Sequence, residues 1–398
     1  MVSRTATGSC IKHLECTKCG TEQSCESLQT TCTRCGGVLF SIYDLEKAKE
    51  RFSRRTISKR YPTMWRYIEL LPVYYEENIV TMDEGFTPLV RIMHTLIENG
   101  PTNVWLKNEG TNPTGTFKAR GMATGISKCK ELGVSKIAIP SIGNGAISAA
   151  AYASRAGIET HMFVPSDASP SILQVAGYFG ATLHTVRGSF SEVKEPMKKF
   201  VRENEAFDLS TMEEPYRVEG KKTMGLEIIE QLQWNPPDAI IYPTGGGTGI
   251  VGIWKTIVEL ERMDLIKGNK RPKLFAVQSD ACSPIVKAVR DGKNDAEVWP
   301  NPSSSIARGI SAPPKPYADY LIIKAIRESQ GSAVAVSDRE IRDAIAMLAR
   351  HEGLFTAPEG AATLAAMKRL VEEGTLDKDM RVVLLSTGHG FIYPEMLV

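Results

Sequence analysis

Residues 108–122 read NEGTNPTGTFKARGM, and the rest of the chain is organised around them. Asn112, Pro113 and Gly115 are turn formers, so the stretch leaves an extended run, NVWLKNE, passes through a turn and enters a helix whose first turn holds Lys118. A lysine there is unusually placed. The positive end of a helix dipole opposes an ammonium and favours a neutral amine, or an amine bonded to an aldehyde, which suits a Schiff-base lysine. The plainer reading is a surface lysine beside a loop.

Working outward, apolar β-rich runs alternate with helical patterns. KIAIPS, ETHMFVPS and ATLHTV follow the lysine helix, and DAIIYP, KLFAVQSD and MRVVLLS resume the rhythm later. Strand–helix alternation implies parallel sheet, here in two α/β halves. Three further loops sit where open parallel sheets hold ligands. YPTGGGTGIVG (242–252) ends a strand in Gly245, Gly246, Gly247 and Gly249 before a helix; its N–H groups and the Thr248 hydroxyl suit a phosphate. The formal G-x-G-x-x-G inside it also admits a dinucleotide, with Asp280 as a ribose-binding acid. PSIGNGAIS offers Ser141, Gly143, Asn144 and Gly145 as a nest for a carboxylate, or simply an N-cap. LLSTGHG places Ser386, Thr387 and His389 at a strand's C-terminal end, with His389 read as structural.

At 398 residues the chain exceeds what one core usually serves, so two domains and a small appendage are expected. A net charge of +2, from 48 basic and 46 acidic residues, points away from nucleic acid and anionic membrane and toward a small molecule. No run approaches the ~20 apolar residues of a membrane helix, and MVSRTATGSC lacks a secretory apolar core, so a cytoplasmic protein is expected. Six of the eight cysteines crowd the first tenth of the chain. Within it, Cys16/Cys19 and Cys32/Cys35 form two C-x-x-C knuckles, each followed by glycine. That is zinc-ribbon spacing, able to close a structural tetrahedral site; a ribbon that has lost its metal is the alternative. A basic, helix-compatible stretch from Leu45 to Arg60 then leads into an aromatic connector, YPTMWRYIELLPV.

With these segments in order, the chain resembles the threonine synthases, within the fold-type II group of pyridoxal-phosphate enzymes. The resemblance runs through the ribbon, the WRY…LP connector, DEGFTPL, NPTGTFKARGM, the SxGN loop, TGGGTG and STGHG. It implies two three-layer α/β domains of the tryptophan synthase β-like kind behind a zinc-ribbon-like segment at 1–40. The larger, cofactor-binding domain would comprise 41–121 and 221–398, and the smaller substrate domain 122–220. By the same resemblance Lys118 carries pyridoxal 5'-phosphate, Gly245 to Gly249 hold its phosphate, Asn144 bonds the ring hydroxyl and Thr387 faces the ring nitrogen, with Ser386 as the substitute if the register differs by one. Ser141 to Gly145 would bind the substrate carboxylate and Arg217 a substrate phosphate. The implied protein is a lyase of amino-acid biosynthesis, a cytoplasmic homodimer that makes threonine from O-phosphohomoserine and water.

Two features leave a different substrate open. Gly145 stands where the family commonly has a hydroxyl residue, and Thr211, Met212, Glu213 and Glu214 precede the arginine where polar residues are common. A β-replacement or elimination on phosphoserine, cysteate-synthase-like, is the alternative. A nicotinamide-dependent dehydrogenase is a distant one that leaves NPTGTFKARG unexplained.

Overall fold

The computed structural model describes residues 8–392 apart from 142, 167, 169, 188–191, 268, 269 and 312. The first seven residues, part of the N-terminal stretch weighed above, and Ile142, inside the Ser141–Gly145 loop, therefore lie outside the described residues. The chain divides into two compact units, residues 1–85 with 118–223, and residues 86–117 with 224–398.

The second unit is built on six strands in the order Ala333–Val336, Lys273–Ser279, Ala239–Pro243, Arg381–Ser386, Asn103–Asn108, Leu89–Arg91. All pair in parallel except Leu89–Arg91, which closes one edge antiparallel to Asn103–Asn108. Helices cover such a sheet on both faces, so its central runs are continuously apolar; every residue of Ala239–Pro243 is buried. Val104, Leu106, Ile241, Val277, Val382 and Leu384 share one core cluster. The consequence for function lies in strand order. NPTGTFK, TGGGTG and STGHG, far apart in sequence, leave the C-terminal ends of three adjacent parallel strands, Asn103–Asn108, Ala239–Pro243 and Arg381–Ser386, with the last in the middle.

The first unit holds a four-stranded parallel sheet ordered Thr182–Val186, Glu159–Pro165, Lys136–Pro140, Phe207–Asp208. It also holds a three-stranded antiparallel ribbon, Glu22–Gln23, Ile11–Cys16, Leu39–Tyr43. Residues 118–121 and 221–223, and with them residues 41–85, all expected from the resemblance to join the larger domain, group with this unit by contacts. For residues 41–85, polar groups account for it. Val80 N donates to Ser127 Oγ (2.8 Å), Tyr74 N to Glu131 Oε2 (2.8 Å), and the buried Glu84 carboxylate accepts from Trp65 Nε1 and Tyr152 Oη (2.7 Å each). The ribbon is tied down the same way: Tyr43 donates to Glu219 Oε2 at 3.0 Å, and the buried Lys222 ammonium sits 2.7 Å from that carboxylate and 4.0 Å over the Tyr43 ring.

Local expectations hold where periodicity is long and shift where elements are short. The Leu45–Arg60 stretch forms two short helices, Leu45–Lys49 and Arg54–Ile57, because Phe52 turns inward and Ser53 caps the second with a reciprocal bond to Thr56. The strands Leu89–Arg91, Phe207–Asp208 and Ala333–Val336 escape sequence reading, since two to four residues carry no usable alternation. Among the described residues no helix is long and apolar enough to cross a membrane.

Candidate active site

In the second unit, the chain leaves strand Ala239–Pro243 and reaches helix Thr248–Arg262 through the glycine turn. Gly247 is at φ +82°, and a Cβ there would lie 2.3 Å from Ile322. A Cβ on Gly249 would lie 1.8 Å from Tyr242 Oη. Only glycine lets the backbone run this close to its neighbours. The N-cap is Gly247, which makes no side-chain cap bond, so the first N–H groups of the helix have no cap from it, and the buried Thr248 is the first helical residue.

One strand over, Ser386 closes Arg381–Ser386 level with Asn108. Its Cα and Oγ lie 3.0 Å from where a Gly360 Cβ would be, so Ser386 faces the helix Pro358–Glu372. Thr387 follows, buried, and its carbonyl accepts from Phe117 N at 3.0 Å. The pairing continues backwards: Thr116 bridges Gly388, and His389 N donates to Gly115 O at 3.0 Å. His389 is thus held by its backbone, and its Nδ1 accepts from Phe391 N. The loop that delivers the lysine is therefore zipped onto the segment that carries Thr387.

The base of that loop rests on charges the sequence reading did not single out. Lys107, wholly buried, donates to Glu227 Oε2 (2.7 Å), Thr87 O (2.7 Å) and Gln231 Oε1 (2.9 Å). Glu227 accepts in turn from Phe86 N and Thr87 N, fixing the turn in which Phe86 adopts φ 45°. Thr87 Oγ1 donates to Glu109 Oε1 at 2.7 Å, and Asn112 Nδ2 donates to Glu109 Oε2 at 3.0 Å. The one available signal was Lys107, a lysine interrupting the apolar strand between Leu106 and Asn108.

In the first unit, Lys118 is the first residue of helix Lys118–Glu131 and directly follows Phe117, the last residue of the second unit before the crossing. Asn144 opens helix Asn144–Ala156, and Ser141 Oγ accepts from Gly143 N (3.2 Å) and Ala146 N (3.1 Å). Among the described residues, a Cβ on Gly145 would meet Ser141 Oγ at 3.4 Å, an ordinary contact, so their packing does not demand glycine there. Arg217 opens helix Arg217–Gln231 but is buried: Nη1 donates to Leu209 O at 2.6 Å, and Nε is 3.9 Å from Glu214 Oε1. Glu213 turns away to Lys194 (2.5 Å) and Lys198 (3.5 Å).

Glu214 stays, with Oε2 accepting from Tyr216 N and Arg217 N. Burial pushes its carboxyl up to about 7 despite the attraction of Arg217 and these N–H bonds, and burial lowers Arg217 from its usual value. A carboxyl whose folded pKa is raised favours the folded state in its neutral form. That contribution is complete below the ordinary carboxylate range and is lost as pH rises through about 7. Glu214→Gln is therefore expected to match the parent at about pH 4 and to exceed its stability above neutrality by up to about 3 kcal/mol. Denaturant titrations at the two pH values check this; an offset independent of pH would refute it.

A protein-family profile, "Pyridoxal-phosphate dependent enzyme", matches residues 80–388. The chain is 38% identical over 389 residues to the threonine synthase of Methanocaldococcus jannaschii, covering 96% of this chain and 93% of that one. The chain belongs to the threonine synthase family. Similar relatives include the threonine synthases of Methanosarcina acetivorans, 34% identical over 97% of this chain and 93% of that one, and of Mycobacterium tuberculosis, 32% identical over 83% and 88%. The fold is similar to those of maize serine racemase (TM-score 0.64, 22% identity, 76% of this chain and 88% of that one) and of the processed form of threonine deaminase isoform 2 from Solanum lycopersicum (TM-score 0.64, 18%, 79% and 85%).

Pyridoxal phosphate is the cofactor of this threonine synthase family member, and the residues fit it. A phosphate needs helix N-terminal N–H groups without a side-chain cap, and the turn that ends at Gly247 supplies them. The ribbon of this family member also fits a metal. Sγ atoms of Cys16 and Cys35 are 3.4 Å apart, Cys19 and Cys35 3.4 Å, and Cys19 and Cys32 3.7 Å, with all four ligand atoms within 4.8 Å of one another. Thiolates about 2.3 Å from a tetrahedral Zn²⁺ would be about 3.8 Å apart, near these spacings. The Thr21 hydroxyl and N–H hold the Cys19 thiol down to about 6, while, against the Gly37 N–H, the neighbouring Cys16 and Cys19 sulfurs push Cys35 up to about 12.

Proposed function

We propose that this chain converts O-phospho-L-homoserine and water to L-threonine and phosphate. The observation that carries the reading is the Phe117 N to Thr387 O bond, which sets the lysine loop and the residue expected at the ring nitrogen side by side in backbone register. Bound pyridoxal phosphate supplies the electron sink. Lys118 Nζ carries the cofactor, takes the proton from the substrate Cα when freed, and returns protons along the same face. The N–H groups of Gly245, Gly246, Gly247 and Gly249 with Thr248 hold the cofactor phosphate, and Asn144 bonds the ring hydroxyl. Thr387 presents a neutral hydroxyl to the ring nitrogen; Ser386, turned toward Gly360, is the less suitable of the pair. Ser141, Gly143 and Gly145 orient the substrate carboxylate, and Arg217 answers the phosphate that leaves Cγ before water adds at Cβ. Incubation of the yellow protein with O-phosphohomoserine, with threonine and phosphate assayed in equal amounts, tests it; release of neither ends the reading.

A second reading, β-replacement or elimination on phosphoserine, draws on Gly145, whose missing hydroxyl is not required by packing. Absorbance titration with both phosphorylated amino acids separates the two. The reading includes a homodimer, which sedimentation of the purified protein checks, and a cytoplasmic location, which cell fractionation checks.

We also propose that Cys16, Cys19, Cys32 and Cys35 hold one structural zinc. Mercurial titration of the thiols is expected to release about one zinc per chain, and Cys19→Ser to lower that stoichiometry and destabilise the ribbon. Elemental analysis showing no metal in protein purified without chelator would refute it.

A further inference from the structure

We propose that Glu109 is a positioning residue that sets the lysine loop in register with Thr387, an inference that rests on Lys118 being the cofactor lysine. Glu109 is fully buried at the C-terminal end of strand Asn103–Asn108, and its two carboxylate oxygens serve two different segments. Oε1 accepts from Thr87 Oγ1 at 2.7 Å; Oε2 accepts from Asn112 Nδ2 at 3.0 Å. Asn112 Nδ2 also reaches Glu109 O at 2.9 Å, so the amide plane is held from two sides. Asn112 O then accepts from Gly115 N at 2.7 Å, closing the turn in which Gly115 takes φ +69°. From Gly115 onward the chain pairs with 387–389 and reaches Lys118 one residue after the Phe117 to Thr387 bond.

The other side of the bridge is equally fixed. Thr87 is held at its N–H by Glu227 and at its carbonyl by Lys107, so its hydroxyl is a stationary donor. A buried carboxylate between two such donors is a strut between the 86–88 turn and the 112–115 turn. Each bond to a charged acceptor contributes more than a neutral one, and its loss frees a loop rather than a core side chain. Carboxylate geometry matters here more than charge. A carboxamide can accept from Asn112 with its oxygen and donate to the Thr87 hydroxyl with its nitrogen, whereas a methyl can do neither.

The test uses full-length Glu109→Ala, Glu109→Gln, Thr87→Val and Lys118→Ala. Cofactor affinity is read by absorbance titration of the apoprotein, attachment by borohydride trapping and peptide mapping, and the two kinetic constants separately. Glu109→Ala is expected to weaken cofactor binding by about tenfold or more, slow trapping at Lys118 and lower kcat more than it raises KM. Glu109→Gln is expected to recover to within about threefold, and Thr87→Val to fall between them. The pH titration of the lysine-bound chromophore should also move in the alanine variant, a signature that mere loss of stability would leave in place. If Glu109→Ala does not fold, Thr87→Val carries the test with the same readouts. Parent-like binding and trapping in Glu109→Ala, or in Thr87→Val where the former is insoluble, overturns the proposal, as does a folded glutamine variant no better than alanine. Trapping that persists in Lys118→Ala, on another residue, would instead overturn the underlying assignment of the lysine.

Discussion

Lys118→Ala is expected to lower kcat by about 10³-fold or more and to abolish borohydride-stable labelling, because one side chain would lose both the covalent attachment and the proton-transfer group. Stability should scarcely change. Lys118 is only partly buried, alanine is the better helix former, and removing an ammonium from a helix N-terminus relieves an unfavourable interaction with the dipole. The turn proposed to hold the cofactor phosphate lies on a different segment, so non-covalent binding should persist at reduced affinity. Peptide mapping after reduction checks attachment, and single-turnover assays check proton transfer. Undiminished turnover in the variant would remove the lysine from the chemistry.

Gly220→Ala should have the largest effect on stability of any single methyl group added to the first unit's helices. A Cβ at 220 would lie 2.1 Å from Arg120 O and 2.4 Å from Thr124 Oγ1. The nearer atom is backbone, so it cannot swing aside. The facing helix carries Gly121 and Gly125, where added Cβ atoms would meet Arg217 O at 3.0 Å and Arg217 Cγ at 3.1 Å. Helices Lys118–Glu131 and Arg217–Gln231 thus cross with backbones in contact, and forcing them apart is expected to cost about 3 kcal/mol, against a helix-propensity gain of about 1 kcal/mol. Gly177→Ala, in helix Pro170–Tyr178 with nothing within 4 Å of the added carbon, is the control and should be neutral or slightly stabilising. Denaturant unfolding of both variants measures the difference; equal midpoints would show that the crossing relaxes freely. Because Lys118 and Arg217 each open one of these helices, a fall in activity should accompany the loss of stability.

The parallel α/β architecture was legible because buried parallel strands are written as unbroken apolar runs followed by glycine-rich turns, as in DAIIYPTGGG and MRVVLLSTG. Lys118 was legible for a similar local reason: Asn112, Pro113 and Gly115 place a helix start just before it. Arg217 was named from resemblance, yet its burial against Leu209 and Glu214 was invisible, since those contacts depend on how the helix packs. The stretch from Leu45 through YPTMWRYIELLPV looked like a connector and groups with the first unit, and just beyond it the Glu84 carboxylate reaches across to Tyr152 while accepting also from Trp65, Thr81 and Met82.

Sequence alone determined the strand–turn–helix units, the lysine at a helix start, the glycine turn before a helix and the four clustered cysteines, because each is a local pattern of period, turn chemistry or spacing. Tertiary structure alone decided which strands are neighbours, and so brought the ends of Asn103–Asn108, Arg381–Ser386 and Ala239–Pro243 together. It also decided that Glu109 and Glu227 are buried struts rather than surface carboxylates. The physical reason is that burial and pairing are properties of contacts between distant segments, and no short-range pattern encodes where a strand will find its partner.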